Sequence, residues 1–169
     1  MSTDALDAGL LILRIAIGIV FVAHGVKHFV NREKTERWVA SMGFRSPTVQ
    51  WFFMTFVEIG VGLALAAGFL TSVGGAGTVA LLFVAFWTVH RDAGFWITAR
   101  PDEGYEYVLV LVAIGAALAV VGPGEWSVDH ALGIADALDG WVGAAIFGAG
   151  FVASVGQLVL FYRPSEAAD

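Results

Sequence analysis

Six polar residues stand in surroundings too apolar for them: Arg14, His24, Glu58, His90, Tyr105 and Glu106. An ionisable group inside a bilayer costs roughly 2.5–3.5 kcal/mol on insertion scales, so each needs a partner or a task. His24, Glu58 and Glu106 are residue types that take up and release protons. Arg14, His24, His90 and Tyr105 are types that donate hydrogen bonds to the carbonyls of a quinone headgroup, with Phe21, Phe53 and Trp87 as candidate aromatic walls. Two other readings stay open. His24 and His28 at i, i+4, with His90 and a Glu, could hold a transition metal or a di-iron centre, although the chain lacks the paired Glu-x-x-His motifs of di-iron bundles. The same residues could also form a structural polar plug at the membrane surface. The cofactor expected is a quinone, with no metal or haem, since the chain contains no cysteine and no haem motif.

The elements that must position these groups are membrane helices. The chain is 58% hydrophobic and 14% charged, with mean hydropathy +0.78, whereas soluble domains are about 45–50% apolar and about 25% charged. Without cysteine, disulfide scaffolds, thiol relays, Fe–S clusters and thiolate zinc sites are excluded, and a net charge of −6 with no basic run argues against a nucleic-acid partner. Five stretches approach the roughly 20 apolar residues that a span requires: Leu6–Lys27, Val49–Leu70, Val73–Val89, Tyr105–Val121 and Trp141–Tyr162. The first lacks the basic start and A-x-A site of a secretory signal and is kept as a span.

Eight of the nine Lys and Arg residues (Lys27, Arg32, Lys34, Arg37, Arg45, Arg91, Arg100 and Arg163) then fall on one side. The positive-inside rule puts that side in the cytoplasm of a plasma-membrane protein, with the N-terminus outside and the C-terminus inside. Asn31–Ser46 reads as an amphipathic helix lying at this interface, with Trp38 at headgroup depth. Gly60, Ala64 and Gly68 form a small-residue stripe suited to close helix approach, and Gly143, Gly148, Gly150 and Gly156 make the last span similarly permissive.

On span one, Arg14, Gly18, Phe21, Gly25 and His28 share a face at about 100° per residue, His24 sits at its edge, and Lys27 snorkels to the headgroups. Arg14 and Glu58 come within under ~10 Å in level on antiparallel spans, at about 1.5 Å rise per residue, so the first structural expectation is an Arg14–Glu58 ion pair. His24, His28, His90, Tyr105 and Glu106 should converge at the cytoplasmic end with Glu58 above them. On the other side, Gly122-Pro-Gly-Glu-Trp-Ser-Val-Asp129 reads as a helix break followed by a short helix near His130, capped by Ser127 or Asp129.

These segments resemble the DoxX family of small membrane proteins. The resemblance rests on Leu13-Arg14 and Gly18, Ala23-His24-Gly25-Val26-Lys27-His28-Phe29, Ala40-Ser41-Met42-Gly43-Phe44 leading to Pro47, and Glu58 ahead of Gly62 and Gly68. It continues through Gly104-Tyr105-Glu106-Tyr107 and the Gly122–Asp129 segment. It implies a four-helix membrane bundle, here residues 1–132, with the interfacial segment 31–46; an additional C-terminal helix occupies 133–163 and a polar tail 164–169. It also implies a link to membrane oxidoreductase complexes, with Arg14, His24, Lys27, Glu58, Tyr105 and Glu106 at motif positions. The function expected is an integral membrane subunit of a quinone-linked redox system, with His24, Glu58 and Glu106 managing protons. The alternative is a non-catalytic anchor, assembly or accessory subunit of a larger complex; a small-solute or proton transporter is a third. Expected partners are the lipid bilayer and either other protein subunits or further copies of the chain.

Overall fold

Pro47 at a helix start, Gly68 and Gly122 at helix ends, and long apolar runs between them divide the chain into helices. The computed structural model describes residues 3–164. In chain order the helices are α1 (Thr3–Val30), α2 (Arg32–Ser41), α3 (Pro47–Ala67), α4 (Thr71–Ala85, continued by a π-turn over Phe86–His90), α5 (Glu106–Val121), α6 (Val128–Ala131), α7 (Ala135–Leu138) and α8 (Gly140–Phe161). Four of them, α1, α3, α4 with its π-turn, and α8, are long and apolar enough to cross a membrane, and α5 is a shorter apolar helix. The molecule is an all-α polytopic membrane bundle. Residues 165–169 of the expected polar tail lie outside the described residues.

Helix lengths do not match the bilayer uniformly. At about 1.5 Å per residue, the 28 residues of α1 extend ~42 Å, well beyond a hydrocarbon core of about 30 Å. Its last turn, with Lys27 and His28, therefore reaches past the core, or the helix tilts. The 16 residues of α5 extend only ~24 Å, less than the thickness of the hydrocarbon core.

Packing is most extensive between α1 and α3, then between α4 and both α8 and α5. The α1–α3 contact is backbone against backbone. A Cβ on Gly18 would stand 2.7 Å from the Gly62 carbonyl oxygen, and one on Gly62 would stand 2.6 Å from the Gly18 oxygen. Gly25 is similarly pressed against Thr55 and Ile59. The expected Gly60–Ala64–Gly68 stripe is not this seam: Gly60 is exposed and has no neighbour where a Cβ would go. The contacting glycine is Gly62, half a turn around the helix. On α8, Gly143 packs on the Ala119 carbonyl and Gly150 on the Ala76 carbonyl, while Gly148 and Gly156 face open space. The main apolar core joins Leu10, Ile17 and Phe21 of α1 to Val61 and Leu65 of α3 and to Leu111 and Leu118 of α5.

The eight basic residues gather at the end of the bundle that carries α2. There the chain leaving α8 is tied to the α2–α3 connection by backbone hydrogen bonds from Arg45 N to Phe161 O and from Arg163 N to Gly43 O.

Candidate functional site

The α2 end holds a cavity of about 640 Å³. Its walls are mainly apolar, with Val20, Phe21, Phe53, Met54, Leu81, Leu82, Val108 and Leu111 among them. Its polar lining is His24, Lys27, His28, Gln50, Glu58, Thr88, His90, Glu103, Tyr107 and Gln157, with Trp38 and Met42 of the α2 segment at the rim. This balance, a large apolar chamber with a few convergent polar groups, is typical of small-molecule sites.

Each polar group is delivered by a specific local device. Helix α1 brings His24 and His28 one turn apart on the side facing α3. Its end is secured by the Trp51 indole N–H, which donates to the His28 carbonyl at 2.9 Å and satisfies one of the orphan carbonyls of the last turn. The His28 ring stacks on Trp38 of α2, with centroids 6.1 Å apart, and its Nδ1 lies 3.4 Å from the buried Thr35 hydroxyl. Glu58 of α3 approaches from the opposite wall, with Oε2 3.8 Å from His28 Nε2. That oxygen is buried and has no hydrogen-bond partner within the protein. The ligating atoms of His24, His28 and Glu58 all lie within 4.8 Å of one another. On the far wall, the π-turn ending α4 carries Thr88 and His90, and His90 Nδ1–H donates to the Glu103 carbonyl at 2.6 Å. Gln157 of α8 donates to Gln50 of α3 at 2.8 Å and closes the remaining side.

Of the residues singled out from sequence, His24, Glu58, His90 and His28 are thus brought together. Arg14, Tyr105 and Glu106 are not. Tyr105 packs its ring edge-on against Phe86 and Phe95, and the Glu106 carboxylate accepts from Ile97 N at 3.1 Å, so both hold the 91–105 loop rather than line the cavity. Tyr107 and Glu103 occupy the lining positions instead. The loop folds back on the start of α5, through Gly104 N to Trp96 O, Tyr105 N to Gly94 O and Glu106 N to Phe95 O, and this shifts which residues of Gly104–Tyr107 face inward. Phe21 and Phe53 form walls as expected. Trp87 does not: it is exposed, with the Arg91 guanidinium over its ring.

The expected Arg14–Glu58 ion pair is absent. The Gly18–Gly62 contact sets the register of α1 on α3. Arg14 lies four residues from it toward one end and Glu58 four toward the other, so about 12 Å of helix rise separates their levels. Arg14 is fully buried at the end opposite the cavity, where Nη2 donates to the Trp126 carbonyl at 2.6 Å. Gly68 makes room for it. Its φ of 67° suits glycine, and a Cβ there would collide with the guanidinium.

The 122–139 connection does more at this end than turn the chain. Ser127 caps α6, accepting from His130 N at 3.1 Å. Asp129, although only two residues away, caps a different helix. Its buried carboxylate accepts from Leu70 N at 2.6 Å and Thr71 N at 2.9 Å, at the start of α4. Asp7 likewise accepts from Glu125 N at 2.8 Å. No sequence spacing pointed to Asp129 as a long-range cap, because its partners are 58 and 59 residues away.

Comparison with known proteins gives consistent results. Residues 9–91 match the DoxX family model. A protein of Bacillus subtilis (strain 168) described as "Putative oxidoreductase CatD" is 30% identical over 112 residues, covering 66% of this chain and 79% of that protein. "Inner membrane protein YqjF" of Escherichia coli (strain K12) is 28% identical over 131 residues, covering 75% of this chain and 93% of that protein. No solved structure matches.

Proposed function

The chain belongs to the DoxX family, and from that premise we propose that it is the membrane subunit of a quinone-linked redox system, receiving the headgroup in the cavity at its α2 end. The observation that carries this reading is the cavity itself. Its volume of about 640 Å³ accommodates an aromatic headgroup, and its apolar walls suit the flat ring of a quinone. Its floor holds a buried carboxylate oxygen with no partner. One relative carries the description "Putative oxidoreductase", which speaks of that protein and lends this reading weight.

A quinone supplies two-electron, two-proton chemistry when bound. This chain's residues would supply the rest. His24 donates a hydrogen bond toward the chamber, while His90, whose Nδ1–H is held by the Glu103 carbonyl, presents Nε2 as an acceptor for the reduced headgroup's hydroxyl. Glu58 and His28 hold or release a proton at Oε2 and Nε2, 3.8 Å apart. Phe21 and Phe53 exclude water from the ring face. No cysteine is present to carry electrons, so a redox partner would supply or remove them. The basic α2 end would face the cytoplasm, with the N-terminus on the other side.

The test uses the full chain in nanodiscs of lipid free of quinone. A short-tailed benzoquinone should quench tryptophan fluorescence saturably, through Trp38 at the cavity rim. His24→Ala and Glu58→Gln should each weaken binding by about tenfold or more, the equivalent of one lost charge-assisted hydrogen bond. Absence of saturable quenching, or equal affinity in His24→Ala, would overturn the reading. Co-purification of a partner chain with no quinone bound would then favour the accessory-subunit role.

A further inference from the structure

We propose that His24, His28 and Glu58 form a binding site for a divalent first-row transition-metal ion at the inner edge of the cavity. Two histidines one helical turn apart present imidazoles on one face, the arrangement used by helical zinc sites. From sequence, His90 and a Glu are the candidate further ligands; among the described residues Glu58 joins the pair and His90 does not. The fold supplies this third ligand by packing α3 against α1 through Gly25, which brings Glu58 opposite the two rings.

The geometry is close to what an ion needs. Ligand atoms bonded at about 2.1 Å to one tetrahedral ion stand about 3.4 Å apart. His28 Nε2 and Glu58 Oε2 are 3.8 Å apart, and the three ligating atoms lie within 4.8 Å. Contraction by about 0.4 Å at the His28–Glu58 pair and by at most about 1.4 Å at the widest closes the set, within the reach of side-chain rotation for the exposed His24.

Two further features point to a cation. First, 3.8 Å is too long for a hydrogen bond, and the buried Oε2 has no hydrogen-bond partner within the protein. Second, the other ring nitrogen of His28 meets the buried Thr35 hydroxyl at 3.4 Å, with Trp38 stacked on the ring. With Nδ1–H directed at Thr35, the Nε2 lone pair points at the carboxylate, and this outer hydrogen bond is the kind that orients a metal-binding imidazole. With both groups deprotonated, two electron-pair donors face each other across a gap that a metal ion bridges in place of the proton they otherwise hold. A histidine pair with one carboxylate favours a borderline ion such as Zn²⁺, Co²⁺ or Fe²⁺ over Mg²⁺ or Ca²⁺. Lys27 lines the same cavity and opposes a bound cation; Glu58 and Glu103 offset it. Remaining coordination positions open into the chamber.

The site is tested on the full chain carrying a tag without histidine, stripped of metal and of quinone, so that the outcome is independent of headgroup binding. Titration with Co²⁺ should give saturable visible d–d absorption, displaced by Zn²⁺. His24→Ala, His28→Ala and Glu58→Gln should each weaken it by more than about tenfold, while His130→Ala, at the opposite end, should not. No saturable absorption in the unaltered chain, or an unchanged titration in His24→Ala, would overturn the proposal. His24 is exposed, so that variant reports on the site even if Glu58→Gln fails to fold.

Discussion

Replacing Asp129 by Asn tests the clamp that closes the end of the bundle remote from the cavity. The carboxylate accepts from Leu70 N and Thr71 N and is 1% exposed. Asn keeps the shape but offers one acceptor and turns an amide NH₂ toward the second backbone N–H. One charge-assisted hydrogen bond is lost, about 1.5–3 kcal/mol, and one buried donor is left unsatisfied, about 1–3 kcal/mol. The change also removes a charge whose field reaches the fully buried Arg14. Leu70 adds to the cost. It sits in the left-handed region at φ 48°, a conformation that persists only where the surroundings enforce it. The two hydrogen-bond terms sum to about 2.5–6 kcal/mol, a range that includes the cost of breaking a buried ionic contact. At roughly 2–4 °C per kcal/mol for a chain of this size, the midpoint of thermal unfolding should fall by about 5–24 °C. The assay is thermal unfolding in matched detergent, with hydrogen exchange at the Leu70 and Thr71 amides. Exchange should accelerate at these two sites first, and benzoquinone binding below the transition should be unaffected. A midpoint within a degree or two of the unaltered chain, with both amides still protected, would refute the assignment of Asp129 as the α4 cap.

Gly62→Ala should destabilise by about 1–3 kcal/mol, because its Cβ would meet the Gly18 carbonyl at 2.6 Å. Gly60→Ala should stay within about 0.5 kcal/mol, and denaturant unfolding of the pair separates the α1–α3 seam from the unused stripe. Gln157→Leu should cost about 1 kcal/mol by breaking the hydrogen bond to Gln50, measured the same way. Glu106→Gln should speed hydrogen exchange at Ile97, whose amide it accepts, and leave benzoquinone affinity near its original value, whereas Glu58→Gln should lower it.

Much of the architecture was legible because membrane spans are set by local hydropathy, which needs no knowledge of neighbours. Apolar runs, the breaks at Gly68 and Gly122, and the one-sided basic residues identify the bundle and its two ends from sequence. So does the shared face of Arg14, Gly18, Phe21 and Gly25, all buried in the structure, since helical periodicity is a property of one chain segment. His24, His28 and Glu58 stood out for the same reason: charge and polarity inside an apolar run are visible wherever the run goes.

What a single segment cannot contain is register. Arg14 and Glu58 looked near enough to pair until Gly18 met Gly62, a contact of two backbones that places them about 12 Å apart in level. The turn of the 91–105 loop onto α5 decided that Glu103 and Tyr107, not Glu106 and Tyr105, line the cavity. Asp129 reads as a local cap beside Ser127, yet its carboxylate reaches a helix that begins 58 residues earlier. The sequence by itself determined the long apolar helices, their polar exceptions and the end at which the His24, His28 and Glu58 cluster forms. Tertiary structure alone decided which polar groups meet, because that depends on how close two backbones come, and in this bundle a few glycines set the distance.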